Sequence, residues 1–234
     1  MSDNNSADKV CWPGQFQPDF WKDLSLQEQK AFLYQSKTKE FKRRDPVIHS
    51  GDEGLYLYIV IEGRIKVGKY FADFKEIMTD LVYEGDVLSV QPLAEFKDRL
   101  EYAEAVMPSR ILQLNADFVR QLMTSNLGFS KYMFSQVTKK YNRINLRLAL
   151  VHPTILIKQQ FVELLLLMAE DFGRSIGVEV LVEHGLSQNE MASMLHRSRQ
   201  SVTEVMCTLK KANIINYTRT SILIRDMEKL RTWR

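Results

Sequence analysis

Eight positions constrain this chain more than anything else in it. Leu127, Ser130, Phe134, Val137, Tyr141, Ile144, Leu148 and Val151 step by three and four residues without interruption. That spacing is the a/d seam of a two-stranded coiled coil, with one polar breach at Ser130. At 1.5 Å per residue the stretch 127–151 spans roughly 37 Å. Lys139, Lys140, Arg143 and Arg147 flank the seam and are expected to cover that side in water. A helix packed inside its own domain would bury a wider stripe. Residues 127–151 therefore read as a dimerisation helix, with Leu127, Phe134, Val137, Tyr141, Ile144 and Leu148 joining two copies.

Three textures divide the chain. Residues 1–45 are polar and irregular, with one helix-like stretch, Leu26 to Tyr34, after the turn-prone PGQFQPD. From Pro46 to about Leu114 the period is two. Leu55–Ile61 and Ile65–Gly68 read as strands joined by a tight Glu62-Gly63 hairpin turn. Ile77–Tyr83 and Ala105–Leu114 read as further strands, with Gly85-Asp86 as a turn, and such spacing fits a small sandwich or barrel. Helical periodicity then takes over. His152-Pro153 ends the long helix and makes a candidate hinge, Pro153 opening the next helix, Thr154 to Phe172. A glycine-flanked strand (VEVLVE), two short helices and a final hairpin, Ile214–Asn216 with Ser221–Arg225, complete the chain. The expected organisation is a sensing domain over 1–114, the dimerisation helix over 115–152 and a C-terminal domain over 153–234.

Composition narrows the function classes. Hydrophobic residues are 45% and charged residues 26% of 234, ordinary for a globular protein. The longest apolar run, Phe161 to Ala169, carries Glu163 and covers about half a bilayer, so no membrane partner is expected. The polar N-terminus lacks a secretory signal, which gives a cytoplasmic expectation. Cys11 and Cys207 are too few for a disulfide scaffold or a four-cysteine metal site. The net charge of +3 is unevenly spread: residues 1–114 carry −4, 115–152 carry +5 and 153–234 carry +2. An acidic front and basic back suit a nucleic-acid partner. No Gly-rich phosphate loop, HExxH or nucleophile elbow is present, and no catalytic residues are expected.

The chemistry lies in Leu186–Ile215, LSQNEMASMLHRSRQSVTEVMCTLKKANII. Ser187 and Glu190 form a capping box, and Met191, Met194 and Leu195 share one face of the helix it opens. Ser198 can cap a second helix whose inner face is Val202, Val205, Met206 and Leu209. Two short helices on a tight turn make a helix-turn-helix, whose second helix fits the major groove and reads base edges with its first turns. Arg199, Gln200, Thr203 and Glu204 are exposed there. Ser187, Gln188, Arg197, Ser198, Ser201 and Lys210 complete the expected contact set with double-stranded DNA. The hairpin that follows would be a wing.

With HSGDEGLYLYIVIEGRIKVG (49–68) and YEGDVLSV (83–90), this chain resembles the CRP/FNR family of bacterial transcription regulators over essentially residues 40–225. The resemblance implies an α+β chain: an N-terminal cyclic-nucleotide-binding-like β-roll, a long dimerisation helix and a C-terminal winged helix-turn-helix. It further implies a homodimeric activator that binds a small effector in the roll, reads a pseudo-palindromic promoter site and meets RNA polymerase. Arg199 falls on the family's guanine-reading position. Gln200 and Glu204 stand where the cyclic-AMP receptor branch has glutamate and arginine, so the operator should differ. His196 replaces a small or glycine turn residue and should distort the turn somewhat.

The effector site departs further. Family binders of cyclic nucleotides use a Gly-Glu pair and an Arg-Ser pair; here Ser89-Val90 and Arg99-Leu100 stand in those places, so cyclic AMP is not the expected effector. CWPGQFQPDFWKDL, the VHPT hinge and the two lone cysteines resemble the halorespiration regulators, which implies a chlorinated phenolic effector. In that sub-branch a basic residue of the long helix meets the phenolate, and Val137 holds the aligned place, so Lys131, Lys139 or Lys140 would have to substitute. The candidate effector set is Tyr83, Leu88, Ser89, Val90, Arg99, Phe134, Val137 and Tyr141, with Tyr56 and Tyr58 as further aromatics. His49 and His152 are isolated and read as surface or capping residues rather than haem ligands. No cofactor or metal is expected. Two alternatives stay open: a non-DNA-binding regulatory module, and a redox sensor using Cys11 and Cys207.

Overall fold

The computed structural model describes residue 12 and residues 17–70, 76–94, 101–152 and 154–233. The chain separates into two compact units. One comprises 1–65 with 82–140; the other comprises 66–81 with 141–234.

The first unit opens with α1 (Phe20–Asp23) and α2 (Leu26–Tyr34). α2 starts where expected because Ser25 accepts from the Glu28 amide while Glu28 reaches back to the Ser25 amide. In the stretch read as irregular, the described residues from Phe20 to Phe41 are largely helix and strand. Trp12, Phe20, Trp21 and Phe32 are buried in the core, and Phe20 packs on Phe129 and Tyr132 with ring centroids 5.0 and 4.5 Å apart. Ser36–Phe41 forms β1, the edge of an antiparallel sheet ordered β1-β8-β3-β6, with β3 Tyr56–Glu62, β6 Val87–Leu88 and β8 Ser109–Asn115. Its register pairs Ser36 with Leu114 and Tyr58 with both Gln113 and Leu88. β2 (Pro46–Ile48) pairs with β7 (Tyr102–Ala105), so the single strand expected over 105–114 is two strands.

The Glu62-Gly63 turn is a corner rather than a hairpin, because β3 and β4 (Ile65–Tyr70) belong to different sheets. Gly63 sits at φ 89°, and a Cβ there would strike Ser109 Oγ and Pro108 O, so glycine is required on two counts. Asn115 caps α3 (Ala116–Ser125), and α4 runs Leu127–Leu150. Phe129 and Met133 bury one face of α4 in this core. The basic flank does not cover the seam in water. Lys139 meets Asp86 at 2.9 Å and Lys140 meets Glu101 at 3.1 Å.

In the second unit β4 neighbours β5 (Glu76–Val82). Arg143 and Arg147 share Asp80, at 3.4 and 3.3 Å, and Asp80 is 1% exposed. Burial lowers the Arg147 guanidinium from its ordinary value, and Asp80 opposes that shift. α5 spans Ile157–Phe172, three residues later than expected, with Leu156 at its N-cap; Pro153 lies outside the described residues. α5 buries Phe161, Val162, Leu165 and Met168. The expected VEVLVE strand is half of a ribbon, β9 (Arg174–Ile176) with β10 (Glu179–Val182), which joins β11 (Ile215–Tyr217) and β12 (Ile222–Ile224) in a sheet ordered β11-β12-β10-β9. Two helices, α6 (Gln188–Met194) and α7 (Arg199–Lys211), precede β11, β12 and a terminal α8 (Met227–Thr232), which the sequence did not announce. Among the described residues no helix is long and apolar enough to cross a membrane.

Candidate nucleic-acid interface

Two capping residues place the interface. Ser187 accepts from the Glu190 amide at 3.3 Å, and Glu190 accepts from the Ser187 amide at 2.7 Å, starting α6. Burial alone would raise the Glu190 carboxyl, but its bonds to Ser187 and to the Lys66 ammonium, 3.1 Å away, hold it below the ordinary value. Ser198 accepts from the Ser201 amide at 3.1 Å and starts α7. Between the helices His196 takes φ 52°. The tight turn forms with histidine in the left-handed position that a glycine would fill without strain.

Burial then decides which face of α7 is presented. Val202, Val205, Met206 and Leu209 turn inward against Met191, Met194 and Leu195, all buried, as the periodicity predicts. The opposite face is concave and lined by Gln188, Arg199, Gln200, Thr203, Glu204 and Cys207. Gln200 Nε2 donates to Glu204 Oε1 at 3.1 Å, and the Thr203 hydroxyl lies 3.1 Å from Gln188 Oε1. One side of the surface thus offers the Arg199 guanidinium, the other a carboxylate held by an amide. Lys210 places its ammonium 5.1 Å from the Tyr217 ring centroid, and the β11–β12 turn exposes Arg219. Tyr217 also lies 3.5 Å from Cys207 Sγ, a neighbour that sequence reasoning missed because it sits on the wing. Cys11, the other half of the redox alternative, lies outside the described residues.

Arg197 also bonds within its own chain. Its Nε donates to Gln160 Oε1 at 2.9 Å and its Nη2 to the Ile155 carbonyl at 3.1 Å. The remaining expected contacts, Ser201 and Ser187, serve as cap partners at the two helix starts.

The described candidate effector residues fall into a buried group and an exposed group. Tyr83, Leu88 and Ser89 are buried in the roll and Val90 is half-buried. Ser89 stands at φ 57° and its hydroxyl donates to Gln91 Oε1 at 2.7 Å. Lys139 lies 4.3 Å from the centre of the Tyr83 ring. Phe134, Val137 and Tyr141 instead point outward on α4, 73%, 44% and 63% exposed, and Tyr56 is exposed while Tyr58 is buried. Arg99 lies outside the described residues. Among the described residues no three His, Cys, Asp or Glu side chains could hold a metal ion.

Comparison with known proteins matches both parts of this arrangement. Residues 38–126 match the Cyclic nucleotide-binding domain and residues 159–233 the Crp-like helix-turn-helix domain. The chain belongs to the CRP/FNR family. It is 25% identical over 200 residues to a CRP-like cAMP-activated global transcriptional regulator of Mycobacterium tuberculosis, covering 86% of this chain and 89% of that one. FixK2 from Bradyrhizobium japonicum superposes with a TM-score of 0.73 at 12% identity, over 85% of this chain and 96% of the other. A structure of OCPA-complexed CprK gives a TM-score of 0.64 at 17% identity, over 88% of this chain and 93% of the other. As a CRP/FNR member the chain is a DNA-binding transcriptional regulator with an effector-binding domain. Residues 159–233, which match the Crp-like helix-turn-helix domain, contain α7 and its exposed Arg199.

Proposed function

We propose that this CRP/FNR regulator works as a cytoplasmic homodimer in which residues 1–114 sense a small molecule, α4 joins the two copies and residues 153–234 read a pseudo-palindromic promoter site. The observation that carries this reading is the outer face of α4. Leu127, Phe134, Val137, Tyr141, Ile144 and Leu148 are between 43% and 73% exposed, an apolar stripe that a second copy would cover. In the competent state the two α7 helices stand about 34–36 Å apart, one turn of B-DNA. The effector shifts an existing equilibrium between arrangements by its differential affinity for them. RNA polymerase is the expected protein partner of a promoter-bound dimer.

The effector is a small molecule other than cyclic AMP. Ser89-Val90 stands where a nucleotide-binding roll of the family has a Gly-Glu pair, so Val90 leaves the carboxylate missing, and the Ser89 hydroxyl is already bonded to Gln91. A chlorinated phenolate is the class we favour, since Tyr83 and Lys139 pair an aromatic face with a cation and the second copy's α4 would add Phe134 and Tyr141.

The test has two arms. Sedimentation equilibrium across a wide concentration range should give a dimer, and a strict monomer at every concentration overturns the reading. A chlorinated phenol should raise the unfolding temperature where cyclic AMP does not; the reverse result overturns the effector assignment. A ligand at 100 times its Kd adds about 2.7 kcal/mol.

A further inference from the structure

Gln160 is a fully buried polar side chain whose amide is used at both ends. Its Nε2 donates to the Leu150 carbonyl at 2.6 Å, and its Oε1 accepts from Arg197 Nε at 2.9 Å. Leu150 is the last residue of α4, so its carbonyl is one of those a helix end leaves without an intrahelical donor. Arg197 in turn donates through Nη2 to the Ile155 carbonyl, in the linker before α5. The Arg197 backbone is held as well, its amide donating to the Ala192 carbonyl of α6 at 3.0 Å, and the next residue, Ser198, is the N-cap of α7.

Three segments therefore meet on two side chains: the end of the long helix, the linker, and the turn that launches the DNA-reading helix. A planar guanidinium with two donors fixes direction as well as distance. A buried amide with both ends engaged tolerates little rotation, because turning it strands a buried donor or acceptor.

We propose that Gln160 and Arg197 form a positioning relay that ties the orientation of α7 to the carboxyl end of α4. The inference rests on the DNA-binding reading above and removes Arg197 from the set that touches DNA. Any change in the direction of the last turn of α4 passes through Gln160 to the residue immediately preceding the Ser198 cap.

The experiment compares two duplexes, the tightest one selected from a random pool by the wild-type full-length chain and an unselected random duplex, each titrated with salt. The variants are Arg197→Ala, Arg197→Lys, Gln160→Leu and the Arg197→Ala/Gln160→Leu double. Each single variant should weaken the selected duplex by about tenfold or more, the scale of one lost charge-assisted bond. Affinity for random DNA and the salt slope should stay as in wild type. The double should cost no more than the worse single, because both break the same relay, and Arg197→Lys should not rescue, since an ammonium lacks the fork. Partial unfolding of a variant lowers both affinities alike and cannot mimic a change in their ratio.

If Arg197 touches phosphate, Arg197→Ala weakens both duplexes equally and lowers the salt slope by about one, while Gln160→Leu does nothing; that result overturns the relay. Additive losses in the double overturn it too. Failure of the wild-type chain to retain any duplex overturns the DNA-binding reading and the relay together, an outcome distinct from retained binding with additive variants.

Discussion

The two sides of α4 solve opposite problems with the same backbone. One side shelters charge: Lys139, Lys140, Arg143 and Arg147 each reach a carboxylate of their own chain, and Asp80 and Asp86 are 1% exposed. The other leaves Leu127, Phe134, Tyr141 and Leu148 more than 60% exposed. Hydrophobicity alone would assign these sides the wrong way round. The difference is one of partners. Sheltered ions are tolerable because each is matched, though replacing a matched pair by apolar groups often costs nothing. They fix where the helix lies rather than driving its burial. Among the described residues the exposed stripe is left uncovered, and covering apolar area returns about 25 cal/mol per Å².

Removing one member of the sheltered side tests this contrast hardest. Asp80→Ala leaves two guanidinium groups without their shared carboxylate, and thermal or urea unfolding should show a loss of about 3–5 kcal/mol. A loss below about 1 kcal/mol would put those ions effectively in water and dissolve the distinction. On the exposed side, Leu148→Ala should leave the unfolding of each copy nearly unchanged yet weaken dimerisation by about 2 kcal/mol, roughly thirtyfold, read by sedimentation.

The same contrast extends to the helix-turn-helix, where Arg199 is an exposed charge and Glu190 a sheltered one. Arg199→Ala should reduce affinity for the selected duplex by about 1–3 kcal/mol and affinity for random DNA by less. Equal losses on both duplexes would make it a phosphate contact. Glu190 gives the smallest effect. Its carboxyl is held below the ordinary 4.5 in the folded chain, so its contribution to stability is complete above pH 4.5 and is lost as pH falls through the lowered value. Glu190→Gln should flatten that acid limb of a stability–pH profile; an unchanged limb would mean other carboxylates set it.

What the sequence disclosed depended on how local the cause was. Ser25 with Glu28 and Ser187 with Glu190 cap within three residues, and both helix starts were legible to the residue. The inner face of α7 followed from spacing alone. The edge strand β1, SKTKEF, is polar and largely exposed, so nothing in its pattern marks a strand; its partner β8 lies some seventy residues on. The carboxylates that shelter Lys139, Lys140 and Arg143 of α4 lie 53, 39 and 63 residues away, which is why those residues read as a solvated flank. Arg197 sits among true surface residues, and only the buried Gln160 reveals its direction. The effector set was the least legible, since Phe134 and Tyr141 are exposed on α4 while Tyr83 and Leu88 are buried.

Glu204 carries a last consequence. A carboxylate midway along the surface proposed to read DNA would repel any stretch of phosphate backbone that offers no amino group for it to accept from. On the DNA-binding reading proposed above, such a carboxylate would shorten the stay on indiscriminate duplex and leave more copies at liberty to search.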